Sequence, residues 1–222
     1  MGTHVDIDPA ILYFGTPVVL LSTVNEDGTT NLMPMSSVFW LGRTAVLGIG
    51  ASSQTARNLR ERPEIVLNLP SVDLVTQVDR LALTTGNAAI SAAKAERGYV
   101  HVSDKYAHAG LTAYGSDTVL PTSVAECPVH IEGTVAALHE LGEPKLLAVE
   151  VAVTAVRVAP ELRLDGHDHR IDPDLWRPLV MSFQQFYGLG ERVHPSRLAS
   201  IDERSEERRV GKECRSRWSP YH

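Results

Sequence analysis

Short apolar and β-branched runs bounded by turn signals recur along this chain, and segments of helical periodicity interrupt them. Val18 to Val24 is a continuous apolar and β-branched run, too short for a typical helix, which predicts a strand buried on both faces. Asn25-Glu26-Asp27-Gly28 is a turn signal, so Thr30 to Phe39 is expected to return antiparallel to it. Pro34 within that second strand removes a backbone donor and places its site at an edge or a bulge. A third strand is predicted over Thr44 to Ile49 and a fourth over Glu64 to Leu69, with a helix from about Gln54 to Arg62 between them. Ser52-Ser53 stands at the N-cap position of that helix, and Pro63 helps to stop it.

Helical spacing returns after Ser71, where Leu74, Val75, Val78, Leu81 and Ala82 share one face, and an Ala-rich helix is expected over Asn87 to Arg97, ended by Gly98. Tyr99 to Thr118 reads as a long ordered loop with a short helix, a length that often carries function. Val129 to His139 and Leu146 to Val158 form a second predicted hairpin, followed by a polar turn at Leu164 to His169, a short helix at Pro173 to Met181 and an aromatic segment at Phe183 to Gly188. Many antiparallel strands with helical interruptions predict a mainly β (α+β) chain, a closed or split barrel with helical insertions.

The C-terminal segment breaks this pattern. Arg204 to His222 resembles the in-frame translation of a common sequencing adapter, so it is read as a non-native, disordered tail, with residues 1–203 as the one functional domain and the natural C-terminus expected to be missing. The tail carries six basic against three acidic residues, which leaves the body with 15 basic and 24 acidic residues and a net charge of −9. An acidic body argues against nucleic-acid and anionic-membrane partners. No long apolar run or signal-like N-terminus is present, and Cys127 is the only cysteine before the tail, which points to a reducing cytoplasm.

Chemistry gathers in two hydroxyl-rich clusters, Ser36-Ser37 and Ser52-Ser53-Gln54-Thr55, both set against apolar strands. The second opens a helix, where unpaired N–H groups, the helix dipole and nearby hydroxyls form an anion site; the plainer alternative is a capped connecting helix. A phosphate-bearing ligand is therefore expected. Arg57, Arg60 and Arg62 form the densest cationic patch. Cys127 and His130 fall on opposite faces of an extended strand and read as structural. His167-Asp168-His169 has the residue types of a metal site but lacks further ligands, so no metal is assigned. His101 and His108 read as loop histidines, and Trp40, Trp176, Phe183, Phe186 and Tyr187 mostly as packing residues.

Four segments in series, TPVVLLSTVNEDGTTNLMPMSSVFW, SSQTARNLRERPEIVLNLPS, DKYAHAGLT and VAECPVHIEGTV, resemble the flavin reductase-like proteins. The resemblance implies an FMN-binding split β-barrel of antiparallel Greek-key type, a homodimer with flavin near the subunit interface, and hydride transfer from NAD(P)H to flavin. Reduced flavin would then serve an oxygenase or react with oxygen. By position, Pro34, Met35, Ser36 and Ser37 would lie along the isoalloxazine and ribityl groups, and Ser52, Ser53 and Thr55 would hold the phosphate. Arg57 or Asn58 would stand close by, with Asn68 and Ala109 to Thr112 as weaker candidates. Flavin carries the difficult chemistry, which accounts for the lack of a nucleophile motif. Many nicotinamide-using members carry a Gly-Asp-His-like stretch at the second hairpin, whereas this chain has Leu141-Gly142-Glu143-Pro144-Lys145. The alternatives are a flavoprotein that keeps FMN as a prosthetic group for another substrate, and a non-catalytic FMN-binding module.

Overall fold

The structure is a computed structural model that describes residues 4–142 and 146–201. The adapter-like tail and Glu143-Pro144-Lys145 of the second hairpin lie outside the described residues. The chain through Leu189 forms one compact unit, and Gly190 onward is grouped separately, with a short 3-10 turn at Arg197–Ser200 opened by the Ser196 side chain.

The strands are β1 (Phe14–Pro17), β2 (Val19–Val24), β3 (Thr30–Met35), β4 (Val38–Leu41) and β5 (Thr44–Gly50). Helix α1 (Gln54–Glu61) and β6 (Glu64–Leu69) follow, then α2 (Val75–Leu81), β7 (Thr84–Thr85), α3 (Ala92–Glu96), β8 (Val100–His101), α4 (Lys105–Ala109), β9 (Ala113–Tyr114) and β10 (Ser123–Val124). The long hairpin of β11 (Val129–Leu141) and β12 (Leu146–Val158) precedes a last pair, β13 (Leu179–Ser182) and β14 (Gln185–Gly188). Seven strands form one antiparallel sheet in the order β3-β2-β6-β11-β12-β5-β4. Its two edge strands, β3 and β4, are consecutive in the chain, joined only by Ser36-Ser37. The sheet is thus an open, split barrel of mainly β composition with helical insertions, as the sequence pattern and the resemblance implied.

The unbroken apolar run of β2 is explained by two cores on its two faces. Val19 and Leu21 pack with Leu47, Ile65, Leu67 and Val149, whereas Val18 and Leu20 pack with Leu74 of the 3-10 turn before α2, with Val78 and Leu81 of α2 and with Tyr106 of α4. Each such fully buried aliphatic side chain contributes about 1.5–3 kcal/mol. Pro34 falls on the sheet edge. The Leu32 carbonyl points outward, since it accepts from Lys105, and by strand alternation Pro34 points outward too, where its missing N–H costs no ladder bond.

Three expectations are corrected. The strand expected over Thr30 to Phe39 breaks at Ser36-Ser37, because the Ser37 carbonyl accepts from Gly48 N at 2.8 Å and carries the chain across to β5. The Ala-rich helix shrinks to Ala92–Glu96, since Asn87 accepts from Ala89 N through its side chain and offers the backbone a turn instead. Pro173 to Met181 forms no helix: Pro178 breaks it, and Leu179 pairs with Pro70 and Val18 at the start of β13.

Candidate functional site: a cleft at the split edge

Beside the outward edge of β3 opens a cleft of about 440 Å³. β3 supplies Asn31, Met33, Pro34 and Met35, and the break after it supplies Ser36. The start of α1 supplies Ser53, Gln54 and Thr55, so the two hydroxyl clusters singled out in the sequence do meet. The far wall comes from the insertion, through Thr84, Thr85, Gly86, Lys94, Tyr99 and Lys105, and from the last hairpin, through Met181, Gln184 and Phe186.

Helix α1 is capped as expected. Ser53 has extended backbone angles and its hydroxyl accepts from Ala56 N at 3.0 Å, which leaves its O–H proton and the first-turn N–H groups of Gln54 and Thr55 without intrahelical partners. Thr55 Oγ1 accepts from Asn31 Nδ2 at 3.2 Å and likewise keeps its proton. Two hydroxyl protons and two backbone N–H groups thus gather at the positive end of a helix.

The other predicted residues are placed differently. Ser37 lies outside the cleft and donates to the Tyr13 hydroxyl at 3.2 Å, and Ser52 is exposed beside the cap. Arg57 is exposed and does not line the cleft. Asn58 is fully buried in a polar knot, donating to Thr23 Oγ1 and Asn25 Oδ1 and accepting from Gln54 Nε2 at 2.8 Å. Asn68, also fully buried, clips β2 and Val124 N to β6. Ala109 to Thr112 closes α4, with Gly110 in the left-handed region (φ 72) as its C-cap.

Residues without an assigned role in the sequence complete the site. Lys105 is only 3 % exposed, and its ammonium donates to the Leu32 carbonyl at 2.7 Å. Burial, with the nearby Lys94 charge adding to it, pushes its pKa down to about 8. Asn31 is equally buried, and its Oδ1 has no partner among the described residues. A Cβ on Gly86 would stand 2.4 Å from that oxygen, so only glycine leaves the Asn31 head group its place. Leu83 (φ 56) and Gln184 (φ 64) line the cleft in the left-handed region, which non-glycine residues adopt at a cost. Lys105 lies inside the DKYAHAGLT segment, but nothing in the sequence signals its burial.

The remaining candidates are engaged elsewhere. Cys127 is buried and its thiol pKa is pushed up by burial, and His130 Nε2 meets the Val124 carbonyl at 2.7 Å, with burial holding the ring below its ordinary pKa. Asp168 pairs with Arg163. His101 Nδ1 and His108 Nε2 meet the backbone carbonyls of Thr85 and Arg80 at 3.2 and 3.1 Å. Trp40 and Trp176 pack on the larger core.

A buried cation with no carboxylate partner among the described residues, an amide oxygen likewise unpartnered among them, helix-end donors and a partly apolar wall fit a ligand that is anionic at one point, hydroxylated nearby and apolar elsewhere. A flavin mononucleotide has these properties. Fold and cleft together define a split-barrel protein with an anion-receptive cleft at its open edge. The family model described as "Flavin reductase like domain" matches residues 11–190, and the chain belongs to this family. It is 38 % identical over 188 residues to the uncharacterized protein YdfE of Bacillus subtilis (strain 168), covering 85 % of this chain and 90 % of that one. In fold it is similar to the flavoredoxin of Desulfovibrio vulgaris (Miyazaki F), at TM-score 0.72 and 20 % identity over 90 % of this chain and all of that one. It is also similar to nitrilotriacetate monooxygenase component B from Bacillus cereus, at TM-score 0.69 and 18 % identity over 88 % of this chain and all of that one. Membership supports a flavin-related oxidoreductase. No helix among the described residues is long and apolar enough to cross a membrane.

Proposed function

We propose that the protein binds FMN in the cleft and passes hydride from NAD(P)H to flavin, supplying reduced flavin to an oxygenase. The observation that carries this reading is the meeting of Pro34 to Ser36 with Ser53 to Thr55 in one cleft, in a chain of the flavin reductase-like family. Bound flavin would supply the two-electron acceptor, so that NAD(P)H, flavin and one proton become NAD(P)+ and reduced flavin. The protein's own work is placement. Pro34, Met35 and Ser36 present an outward strand edge along which a flat ring can lie, with Ser37 behind them. Ser53 and Thr55 meet the phosphate, with Ser52 exposed beside them, and Asn31 Oδ1 accepts from a ribityl hydroxyl. Arg57, outside the cleft, adds at most long-range charge. Asn58 and Asn68 act by holding α1 and β6 in place. Phe186 and Met181 exclude water from the opposite side. A homodimer fits the exposed apolar side chains of the compact unit, among them Phe39, Leu41 and Leu120.

Component B of a monooxygenase among the structural neighbours supports an oxygenase as the recipient. A prosthetic FMN acting on another substrate is the second reading, favoured by the absence of histidine from Leu141 to Lys145. Following NADH and NADPH oxidation with added FMN, FAD or riboflavin tests the choice. Turnover that saturates with free flavin supports the reductase; flavin that co-purifies without pyridine-nucleotide oxidation supports the second reading.

A further inference from the structure

The hairpin of β13 and β14 turns through two consecutive residues in the left-handed region, Phe183 (φ 45) and Gln184 (φ 64). Neither is the glycine or asparagine that such a turn favours, so each holds this backbone at a cost. The turn is nonetheless tied down. Phe183 N donates to the Tyr13 carbonyl at 2.9 Å, and the Phe183 ring meets Phe14 edge to face with centroids 4.8 Å apart. The Tyr13 hydroxyl in turn accepts from Ser37 at the break of the open edge. Phe183 thus has a packing role. Gln184 is exposed and stands on the cleft wall between Met181 and Phe186, the one polar residue that this hairpin brings to the cleft. A strained polar residue facing a cleft points to a ligand contact.

Strand register identifies which part of the ligand it meets. Met35 pairs with Val19, Val18 N donates to the Leu179 carbonyl at 2.8 Å, and Met181 pairs with Thr16, so the last hairpin stands at the Met35 end of β3. Asn31, bonded to Thr55 in the first turn of α1, lies at the other end, separated by a strand rise of about 13 Å. A flavin whose phosphate meets Ser53 and Thr55 therefore brings its ring, not its phosphate, to Gln184. A primary amide offers an acceptor and a donor side by side. The imide edge of an isoalloxazine, an N–H flanked by two carbonyls, complements that pair; the dimethylbenzene edge has neither group.

We propose that Gln184 is a specificity-determining residue that reads the imide edge of the flavin ring, its carbonyl accepting from the ring N3–H and its N–H donating to a neighbouring ring carbonyl. The proposal rests on the flavin reading above. It gives the last hairpin a polar contact with the ring, opposite β3 and remote from the phosphate end, and it gives the strained turn a function.

The test is a pair of titrations of the full chain, with FMN and with FMN methylated at N3, followed by quenching of flavin fluorescence. Both probes carry the phosphate, so the helix end contributes equally to each. Wild type should hold FMN about 3- to 10-fold more tightly than the methylated flavin, the range for one hydrogen bond. Gln184→Leu should weaken FMN by that factor, leave the methylated flavin within about twofold and so lose the preference. Should Gln184→Leu fail to fold, Gln184→Gly removes the amide and suits the left-handed backbone, with the same expected loss of preference. Gln185→Leu, outside the cleft, should change neither affinity. Unchanged FMN affinity in the Gln184 variants, a preference that survives in them, or a wild type that holds both flavins equally overturns the proposal. A wild type that binds neither flavin overturns the flavin reading itself.

Discussion

The Lys105 ammonium sits 2.7 Å from the Leu32 carbonyl at the open edge of the sheet, a buried charge held by a neutral acceptor. Such an arrangement destabilises the ligand-free fold. The unfolded lysine keeps its proton up to its ordinary 10.5, whereas the buried one releases it near 8, so between these values the unfolded state binds more protons. Stability of the ligand-free protein should therefore rise with pH across that window. Set against Lys105→Met, the contribution across the window amounts to about 3 kcal/mol, because each tenfold change in proton affinity is worth about 1.4 kcal/mol. Urea unfolding of both proteins across the window measures it; parallel pH profiles for the two would contradict the burial of the charge.

Ser53 serves α1 as its cap and the cleft as a donor. Ser53→Ala should cost about 1 kcal/mol of stability. Together with Thr55→Ala it should weaken FMN more than riboflavin in fluorescence titrations. Equal loss for both flavins would count against a phosphate at this helix end.

Gly86 leaves room for the unpartnered Asn31 oxygen. Gly86→Ala should displace Asn31 and lower the affinity for riboflavin and FMN alike, by about 1 kcal/mol or more, the worth of a lost hydrogen bond. Lumiflavin, which has no ribityl chain, should bind the variant as it binds wild type in the same titration.

Glu132 anchors the loop before β10. It is fully buried and accepts from Thr118 Oγ1 at 2.6 Å, Thr118 N at 2.7 Å and Asp117 N at 3.1 Å, with Arg157 at 2.9 Å. Burial is the largest influence and pushes its pKa up, but these bonds and Arg157 together outweigh it and hold the carboxyl below its ordinary value. Its stabilisation is thus present above the unfolded carboxyl pKa and lost as pH falls through the lower folded value. Glu132→Gln should destabilise by about 3 kcal/mol, since it leaves Arg157 without its buried partner. Thermal unfolding checks this, and the variant should show a flatter acid limb than wild type.

The turn between β13 and β14 places both Phe183 (φ 45) and Gln184 (φ 64) in the left-handed region. Asn-Gly at these positions suits such a turn. The double variant Phe183→Asn/Gln184→Gly should be more stable by about 1 kcal/mol or more, and should bind flavin less tightly because Gln184 is lost from the cleft wall.

The sequence made the barrel legible where local chemistry and packing agree. β6 spans Glu64–Leu69 as predicted, α1 starts at its serine cap, and Pro34 marks the edge. It misled where long-range pairing overrides local preference, as at Leu179–Ser182, which joins a sheet with β1. The hydroxyl walls were readable because caps and strand breaks are local signals. Lys105, Asn31 and Gly86 were not, because a buried lysine or an unpartnered amide is defined only by neighbours distant in the chain. The arginine cluster illustrates the converse: density along the sequence suggested a site, but α1 turns Arg57 away from it.

The most direct measurement for the flavin reading is a titration of the ligand-free protein with FMN, followed through the visible absorbance and fluorescence of the flavin. Binding in the cleft predicts a saturable change at one flavin per chain, abolished or strongly weakened in Lys105→Met. A spectrum that remains that of free FMN throughout the titration would contradict it.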